Sequence, residues 1–508
     1  MTDLSKACFE LGEKCGVFGI FDPGFEASRI VHPALWALQH RGQESSGIAS
    51  SDGKTIRIHR GMGLVAHVYD EKALKNLKGY IAIGHNRYST SHGSLPEHSQ
   101  PVITKDGLLA LAHNGNLPTT RALEKFLKSH GIPTHGHNDS ELIHEAVKYY
   151  LVKGFSVEKA IQECWPLFTG AFCLLIMTKN KLVALRDSKG IRPLSIGKFN
   201  GGWVVSSETC AFDTIGATLV RDVRPGEMVV FDKNGLESHQ LAEGEQRLDI
   251  FEFVYFSRPD SVLLGQSVNE VRKNLGRNLA RECPIEADVV IPVPDSAIPA
   301  ALGYSEVSGI VFDHGFVKNR YIHRTFIRPT QKLREKDVNL KLNTMPQVLK
   351  GKRVIVIDDS IVRGTTSRQI VEMVRRGGAK EVHLLISSPP IRFPDFYGIN
   401  TPRQNELIAA RMSVEDIKSF VGADSLYYLS YPSLIAATGL PEYVFSTSCF
   451  TGVYPIDIRE RSREINFDIY QHQQVTAHNG NSHKEVEAKE VDVVKEVSEP
   501  EVILYTSH

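Results

Sequence analysis

Two adjacent carboxylates in the second half of the chain follow an apolar run and precede a turn rich in hydroxyl groups. The segment from Val354 to Ser367 reads VIVIDDSIVRGTTS. The carboxylates Asp358 and Asp359 can hold sugar hydroxyls or a divalent cation. Backbone N–H groups near Gly364 and the hydroxyls that follow can hold a phosphate at a helix N-terminus. Together, these residue types predict a site for a phosphorylated sugar.

The elements around this segment favour that interpretation. Four consecutive apolar β-branched residues predict a parallel strand buried on both faces, and ligands bind where such strands end. The glycine and lysine spacings of a dinucleotide fingerprint or a Walker loop are absent. A simpler alternative is that the acidic pair caps a helix and stays solvated. The segment resembles the phosphoribosyl-diphosphate (PRPP) loop of type I phosphoribosyltransferases.

A second set of reactive residue types is spread over the first half. Cys15 begins the run CGVFGIF, and later segments supply a cation at Arg87, an amide and a glycine at Asn114 and Gly115, and an acid at Asp139. Each has a plain structural alternative, namely an inert buried thiol, a surface charge, a hairpin turn and a helix N-cap. With the polar loop HRGQESSG, this ordered set resembles the class II, N-terminal nucleophile (Ntn) glutamine amidotransferase domain.

That resemblance, over roughly residues 15 to 240, implies roles for these residues. In the family the nucleophilic Cys is the first residue of the mature chain, and its α-amino group, with a pKa of about 7.7–8.0, is the base. Cys15 is then the nucleophile, Asn114 and the Gly115 N–H are the oxyanion donors, and Arg87 and Asp139 hold glutamine. Because Cys15 is internal in the sequence, we predict that residues 1–14 are a propeptide that is removed.

The pattern of predicted strands and helices changes between these two sets of motifs. Short strands, Gly- and Asn-rich turns and a few helical stretches in the first half predict an α+β sandwich of helices on antiparallel sheets. From about residue 266, alternating strand and helix patterns predict an α/β open parallel sheet. The predicted parts are a propeptide (1–14), a glutaminase domain (15–247), a phosphoribosyltransferase domain (248–460) and a mobile polar tail (461–508).

A glutaminase and a PRPP site on one chain resemble the amidophosphoribosyltransferase family, from about Cys15 to Pro455. Further matching motifs are YFSRPD (255–260), VPDS (293–296), KNRY (318–321) and RTFI (324–327). The resemblance implies an enzyme that makes 5-phosphoribosylamine from PRPP and glutamine and releases glutamate and diphosphate. This reaction is the first committed step of purine synthesis, and ammonia is expected to pass internally from Cys15 to PRPP.

The family resemblance also implies how PRPP is held. One Mg²⁺ per PRPP site is expected near Ser296, Asp358 and Asp359. The basic run from Lys318 to Arg334 is expected to close as a lid, although a solvated basic loop is the alternative, and balanced charge disfavours RNA contact. The expected PRPP-binding residues are Tyr255, Lys318, Arg320, Asp358, Asp359, Ser360, Arg363, Gly364, Thr365 and Thr366.

The chain departs from the family pattern at one cofactor. Many relatives with a propeptide bind a [4Fe–4S] cluster through four Cys, and thiolates are the ligands that such a cluster requires. The matching stretches here, residues 249–251, 394–396 and 445–450, contain one cysteine, Cys449. We therefore predict that the protein holds no iron–sulfur cluster.

Bulk properties exclude several classes of partner. Lys plus Arg and Asp plus Glu number 59 each in 508 residues, which disfavours binding to nucleic acid. No apolar run approaches the roughly 20 residues needed to span a bilayer. Seven scattered cysteines without a Cys-x-x-Cys pair suit a reduced, cytoplasmic protein. The resemblance adds purine nucleotides as feedback inhibitors and a homotetramer or homodimer.

Two other functions share part of these features. An amidotransferase acting on a sugar phosphate or on aspartate would share the first half but lack the acidic PRPP loop. A purine-nucleotide sensor that has lost catalysis would keep the fold. Retention of Cys15, Arg87, Asn114, Asp139 and both acidic-loop residues argues against a sensor.

Overall fold

The computed structural model describes residues 15–88, 96–104, 106–319, 342–397 and 403–465. The predicted propeptide, Arg320 with most of the predicted lid, and the tail beyond residue 465 lie outside the described residues. All of these described residues belong to one compact unit. No helix among them combines the length and the apolar character needed to cross a membrane.

Antiparallel strands dominate the first half, as the short-strand pattern predicts. They are β1 (Gly16–Phe21), β2 (Ser45–Ser51), β3 (Ile56–Met62), β4 (Ile81–Arg87), β5 (Val102–Ile103), β6 (Ala110–Asn116), β7 (Ala171–Met177), β8 (Leu182–Arg186), β9 (Ser195–Phe199), β10 (Gly202–Ser206), β11 (Thr218–Asp222), β12 (Glu227–Asp232) and β13 (Gly235–Gln240). They form a seven-stranded sheet of order β11-β9-β10-β1-β4-β2-β3 and a six-stranded sheet of order β13-β12-β8-β7-β6-β5.

Helices cover the outer faces of these two sheets. They are α1 (Ala27–Ala37), α2 (Val65–Val68), α3 (Glu71–Asn76), α4 (Arg121–Ser129), α5 (Asp139–Val152), α6 (Val157–Cys164) and α7 (Cys210–Ile215). The inner faces meet in one apolar core, where Val17 and Ile83 of one sheet join Ala112 and Leu175 of the other. Helices α1, α2, α3 and α7 pack on the seven-stranded sheet, and α4, α5 and α6 on the six-stranded sheet. The predicted α+β Ntn sandwich is confirmed.

The second half alternates strands and helices. Its strands are β14 (Leu248–Asp249), β15 (Val262–Leu263), β16 (Gln266–Ser267), β17 (Val289–Pro292), β18 (Phe316–Lys318), β19 (Leu342–Thr344), β20 (Arg353–Asp358), β21 (Glu381–Ile386), β22 (Ser425–Tyr428) and β23 (Phe445–Ser446). Its α-helices are α8 (Val268–Glu282), α9 (Ile298–Ser308), α10 (Pro346–Leu349), α11 (Thr365–Arg376), α12 (Ile408–Arg411), α13 (Val414–Val421), α14 (Tyr431–Thr438) and α15 (Ser448–Thr451).

Shorter helical segments complete the description. A π-helix spans Glu252–Phe256. The 3-10 helices are Gln39–Arg41, Pro96–His98, Trp165–Leu167, Gln404–Glu406, Glu442–Val444 and Arg459–Glu464. The last of these overlaps the start of the predicted tail, and the Arg461 guanidinium lies 4.6 Å from the centre of the Phe396 ring. The first residue of the predicted tail, Arg461, therefore contacts the rest of the protein.

The acidic loop follows the central part of a parallel sheet. Strands β17, β20, β21 and β22 are neighbours in that order and all pair in parallel. Along β20, Ile355 and Ile357 belong to a core with α8, α9 and α14, whereas Val354 and Val356 belong to a second core with α10, α11 and α13. The strand is thus buried on both faces, and the predicted α/β parallel sheet of phosphoribosyltransferase type is confirmed.

Candidate active sites

The predicted nucleophile lies at one end of the seven-stranded sheet. Cys15 directly precedes β1, and Arg87 is the last residue of the neighbouring strand β4. The two strands are antiparallel, with Gly16 opposite Asn86, so the start of one meets the end of the other. Strand pairing therefore brings Cys15 and Arg87 together across 72 positions of sequence.

Three charged side chains act on the Cys15 thiol. Its Sγ lies 4.0 Å from the carbonyl oxygen of Tyr88. Burial raises the pKa of this thiol, the Arg87 charge lowers it, and the carboxylates of Glu44 and Asp139 raise it. Arg87 itself is paired with Glu44 at 3.3 Å. The nucleophile is thus within electrostatic range of both residues predicted to hold glutamine.

The predicted oxyanion donors lie within a strand and not in a turn. Asn114 and Gly115 belong to β6 and pair with β7, so the hairpin alternative is wrong. The Asn114 side-chain amide donates to Ser207 Oγ at 3.4 Å, and the backbone N–H of Val17 donates to the same oxygen at 3.0 Å. Ser207, which the sequence did not single out, thus joins β6 to the strand that begins after Cys15.

Asp139 is the first residue of α5, but it is not the cap. The N-cap is Asn138, whose side chain forms a capping box with Glu141. Asp139 Oδ2 instead accepts the N–H of Leu117 at 3.2 Å and lies 3.8 Å from His113 Nδ1. The helix-cap alternative therefore holds for Asn138, and Asp139 faces the end of β6.

We expect Gly115→Ala to be strongly destabilising. Gly115 has a φ of +153°, and a Cβ there would lie 2.0 Å from the carbonyl oxygen of Ala171. The pairing of β6 and β7 would have to shift, so thermal or denaturant unfolding should show a loss of about 2 kcal/mol or more. In the matched control Gly201→Ala the φ is +90° and nothing lies within 4 Å, so we expect only about 1 kcal/mol. Equal losses in the two variants would contradict the packing argument.

Arg41 belongs to the polar loop HRGQESSG, for which the sequence predicts no individual role, and it contacts Cys15. Its side chain is fully buried, and its Nε donates to the carbonyl oxygen of Cys15 at 3.2 Å. The guanidinium is also paired with Glu208 and Glu252. The glycine that follows, Gly42, is needed for packing, because a Cβ there would lie 2.7 Å from the backbone of Arg87. The unusual polar density of the loop was the available signal.

The acidic pair lies at the carboxyl end of β20. Asp358 and Asp359 are 8% and 7% exposed. The two carboxylate oxygens of Asp359 accept from the hydroxyls of Ser296 at 2.5 Å and Ser360 at 2.6 Å. The N-cap of α11 is Gly364, so the alternative in which the acids cap this helix in solvent is wrong.

The N-terminus of α11 completes the predicted phosphate cradle. The helix begins at Thr365, followed by Thr366, and no side chain caps it. Gly364 has a φ of +77°, and a Cβ there would lie 2.6 Å from Ile408 Cδ1, so both conformation and packing favour glycine. Uncapped N–H groups at the start of a helix of this length suit an anion.

The remaining predicted PRPP-binding residues are held by other contacts. Lys318 Nζ donates to Asp295 at 2.6 Å, and Arg363 is paired with Glu406 at 2.9 Å. Tyr255 lies in the π-helix and packs partly buried against the core that includes Ile357. Arg320 lies outside the described residues. The structure therefore gathers Ser296, Asp358, Asp359 and Ser360 by direct contact, with Gly364 and the two threonines in the turn and helix that follow.

A buried arginine near the acidic pair was also missed. Arg272 of α8 donates to the carbonyl oxygens of Phe253 at 2.7 Å and Ser257 at 2.8 Å. Burial lowers the pKa of Arg272 to about 10, while the charge of Asp359 acts in the opposite direction. Apolar periodicity places position 272 on the buried face of α8, with Val268 and Leu275, but it does not indicate which backbone carbonyls a charged side chain there will contact.

The donor atoms at the acidic pair fit a hard cation. Among the described residues, no group of three or more His, Cys, Asp or Glu side chains is arranged to hold a metal. The hydroxyl of Ser296 and the carboxylates of Asp358 and Asp359 nevertheless offer oxygen ligands within one contact network. Mg²⁺ prefers oxygen and usually takes few protein ligands, keeping waters and substrate phosphates for the rest.

An iron–sulfur cluster does not fit this chain. The three stretches that match the family's ligand positions bring together Asp249, Asp395 and Cys449. Burial raises the pKa of the Cys449 thiol, and the carboxylates of the two aspartates raise it further. Asp249 is paired with the buried Arg192 at 2.8 Å. Two carboxylates and one thiol cannot supply four thiolate ligands. That the protein holds no cluster stays a prediction.

Two family models each match one part of the chain. A family model described as a glutamine amidotransferase domain matches residues 85–214, and one described as a phosphoribosyl transferase domain matches residues 264–388. The amidophosphoribosyltransferase of Bacillus subtilis (strain 168) is 46% identical over 457 residues, which cover 88% of this chain and 95% of that protein. The chain belongs to the amidophosphoribosyltransferase family. The predicted family is confirmed.

Other amidophosphoribosyltransferases and a solved structure agree. The relative from Synechocystis sp. is 47% identical over 89% of this chain and 92% of its own length. A structure described as glutamine PRPP amidotransferase from B. subtilis complexed with ADP and GMP has a TM-score of 0.82 and 44% identity, covering 88% of this chain and 98% of that one. This member of the family is therefore an enzyme, a glycosyltransferase with a glutamine amidotransferase domain.

Proposed function

We propose that this enzyme makes 5-phosphoribosylamine from PRPP and glutamine, releasing glutamate and diphosphate, in the first committed step of purine biosynthesis. One observation carries the proposal. Cys15 lies with Arg87 and Asp139 in one half of the chain. In the other half, Asp358 ends a buried parallel strand and Asp359 follows it. A sugar-phosphate or aspartate amidotransferase would not need that second site.

The glutaminase step follows from the contacts of Cys15. We propose that residues 1–14 are removed, so that the new α-amino group takes the thiol proton as sulfur attacks the glutamine amide carbon. The side chain of Asn114 and the N–H of Gly115 would stabilise the oxyanion while Arg87 and Asp139 hold the substrate's charged groups. The proton leaves with ammonia, and water then hydrolyses the thioester to glutamate.

The transfer step uses the carboxyl edge of the parallel sheet. Asp358 and Asp359 would hold the ribose hydroxyls and the cation, and the start of α11 would hold the 5′-phosphate. Mg²⁺, when bound, neutralises the charge of the leaving diphosphate. Ammonia, moving inside the protein from Cys15, attacks C1 as the bond to diphosphate breaks. Tyr255 and the basic segment from residue 318 to 334 would exclude water from this reaction.

The predicted organisation and partners belong to the same proposal. The parts are a propeptide (1–14), a glutaminase domain (15–247), a phosphoribosyltransferase domain (248–460) and a tail (461–508). The B. subtilis structure is described as complexed with ADP and GMP, which supports purine nucleotides as inhibitors here. We further propose a cytoplasmic homotetramer or homodimer without nucleic-acid or membrane partners.

N-terminal sequencing of purified protein, combined with an activity assay, tests this function. We expect the active chain to begin at Cys15 and to consume glutamine and PRPP in equal amounts. The expected mass lacks residues 1–14. A fully active chain that still carries Met1 would rule out the α-amino group as the base. A chain that begins at Cys15 but forms no product from glutamine and PRPP would rule out the proposed reaction.

A further inference from the structure

A buried cluster of charges lies directly behind the candidate glutaminase site. Arg41, Glu208 and Glu252 have fully buried side chains and are paired with one another through the guanidinium of Arg41. Burying charges in a protein is costly unless every charge is paired and hydrogen-bonded. Such a cluster adds little to stability compared with apolar packing, so its geometry suggests another use.

Arg41 is the member that contacts Cys15. Its Nε donates to the Cys15 carbonyl oxygen at 3.2 Å, while its two terminal nitrogens donate to the Glu252 carboxylate at 3.0 and 2.9 Å. A bidentate pair of this kind fixes the plane of the guanidinium. Glu252 therefore fixes the direction of the N–H that holds the Cys15 backbone.

Glu252 comes from the second half of the chain. It begins the π-helix Glu252–Phe256, which also carries Tyr255. Its Oε2 accepts the hydroxyl of Ser257 at 2.8 Å, and the Ser257 carbonyl is held in turn by Arg272, which lies within electrostatic range of Asp359. The Glu252 carboxylate is thus linked through Ser257 and Arg272 to the candidate PRPP site.

The second carboxylate of the cluster is tied to the same segment. Glu208 pairs with Arg41 and with His40, at 2.7 Å for the latter. It also accepts the backbone N–H of Arg258 at 2.9 Å and the hydroxyl of Ser261 at 2.7 Å. His40 and Arg41 of the polar loop are therefore linked to residues 252–261 through the carboxylates of Glu208 and Glu252.

We propose that Glu252 is a positioning residue for the glutaminase reaction. Glu252 orients Arg41, and Arg41 binds the carbonyl oxygen of Cys15. This contact fixes the position of the Cys15 nitrogen and sulfur relative to Asn114 and Gly115. The inference rests on the proposed function, because it assigns a purpose to the position of Cys15. It makes the geometry of the first chemical step depend on a residue supplied by the second half.

The test compares Glu252→Gln with Glu227→Gln in the processed enzyme, which begins at Cys15 and keeps both halves. Glu227 is a matched control, because its buried carboxylate also forms a bidentate pair, with Arg221 at 2.8 and 2.7 Å, but in β12. We expect E252Q to lower kcat with glutamine by about 10- to 100-fold, the loss expected when reacting atoms are displaced by about 1 Å. The KM for glutamine should change by less than about 3-fold, because Arg87 and Asp139 are untouched.

The ammonia-dependent reaction separates positioning from general damage. We expect E252Q to match E227Q in ammonia-dependent synthesis and in melting temperature. The proposal is overturned if E252Q keeps the glutamine kcat of E227Q, or if E252Q loses both activities together. Failure of the proposed function itself is distinguishable, since the wild-type enzyme would then lack glutamine-dependent synthesis.

A second variant covers the case in which E252Q does not fold. Arg41→Lys keeps a positive charge between the two glutamates but removes the Nε donor to the Cys15 carbonyl. We expect the same fall in glutamine kcat with unchanged ammonia-dependent synthesis. An R41K enzyme with wild-type glutamine kcat would overturn the proposal.

Discussion

Replacing Cys15 with serine will remove glutamine-dependent synthesis of 5-phosphoribosylamine and spare the ammonia-dependent reaction. The hydroxyl is a far weaker nucleophile than the thiol, so we expect a loss of at least about 10³-fold with glutamine. The PRPP site depends on a different sheet, so ammonia supplied from outside should still react. Product formation should be measured with glutamine near neutral pH and with ammonium salt at alkaline pH, where more free ammonia is present.

Cys283→Ser is the matched control for this prediction. Cys15 and Cys283 are both free and of intermediate burial, but Cys283 follows α8 in the second half. We expect C283S to retain both activities. Glutamine-dependent synthesis that survives in C15S would assign the nucleophile to another residue. Loss of both activities in C15S would show that the variant damages the fold and not one step.

The second large effect is expected at the acidic pair. Asp359→Asn should lower both glutamine- and ammonia-dependent synthesis by about 10²–10³-fold, because one charged contact to the cation and the ribose is lost. Glutamine hydrolysis at Cys15 should continue. Asparagine keeps the size of the side chain and an oxygen that can accept the Ser296 hydroxyl, so we expect the melting temperature to stay close to that of the wild type. Loss of synthesis without loss of stability marks a residue kept for function.

Asp424→Asn tests whether any aspartate of the same sheet would have this effect. Asp424 precedes β22 at the opposite edge of the sheet, where its carboxylate accepts the N–H of Val382 at 2.7 Å and pairs with Arg375. We expect D424N to lower stability modestly and to leave both reactions near wild type. If D359N retained ammonia-dependent synthesis, the acidic pair would not be part of the PRPP site.

Residue pattern was sufficient to predict the elements that position the sites. The four apolar β-branched residues before Asp358 specify a strand buried on both faces, because only such a strand needs no polar alternation. The helix N-cap alternative indicated that a helix would follow the acid at Asp139, and α5 begins at that residue. Motif order, not periodicity, indicated that Cys15 would meet Arg87 and Asp139.

The contacts between the halves could not be predicted in this way. Arg41 and Glu252 are separated by 211 positions, and nothing in the local sequence of either residue indicates the other as its partner. The same holds for Arg192 and Asp249. The two residues of such an ion pair do not recur at a fixed spacing in the sequence. They meet only in the tertiary structure, which local propensity does not specify. Ser207 could not be predicted for the same reason, because a single hydroxyl after a strand forms no recognisable sequence pattern.

The paired arginines have a consequence for protein engineering. The first half is continuous in sequence, and a gene could easily be cut near residue 248. That cut would remove Glu252 and Asp249, so Arg192 would lose both of its carboxylate partners and Arg41 would keep only Glu208 in what had been the interior. A transplanted glutaminase would therefore need carboxylates grafted onto its new host at matching places. Each half is one continuous segment of sequence, but each contains buried charges whose partners lie in the other half.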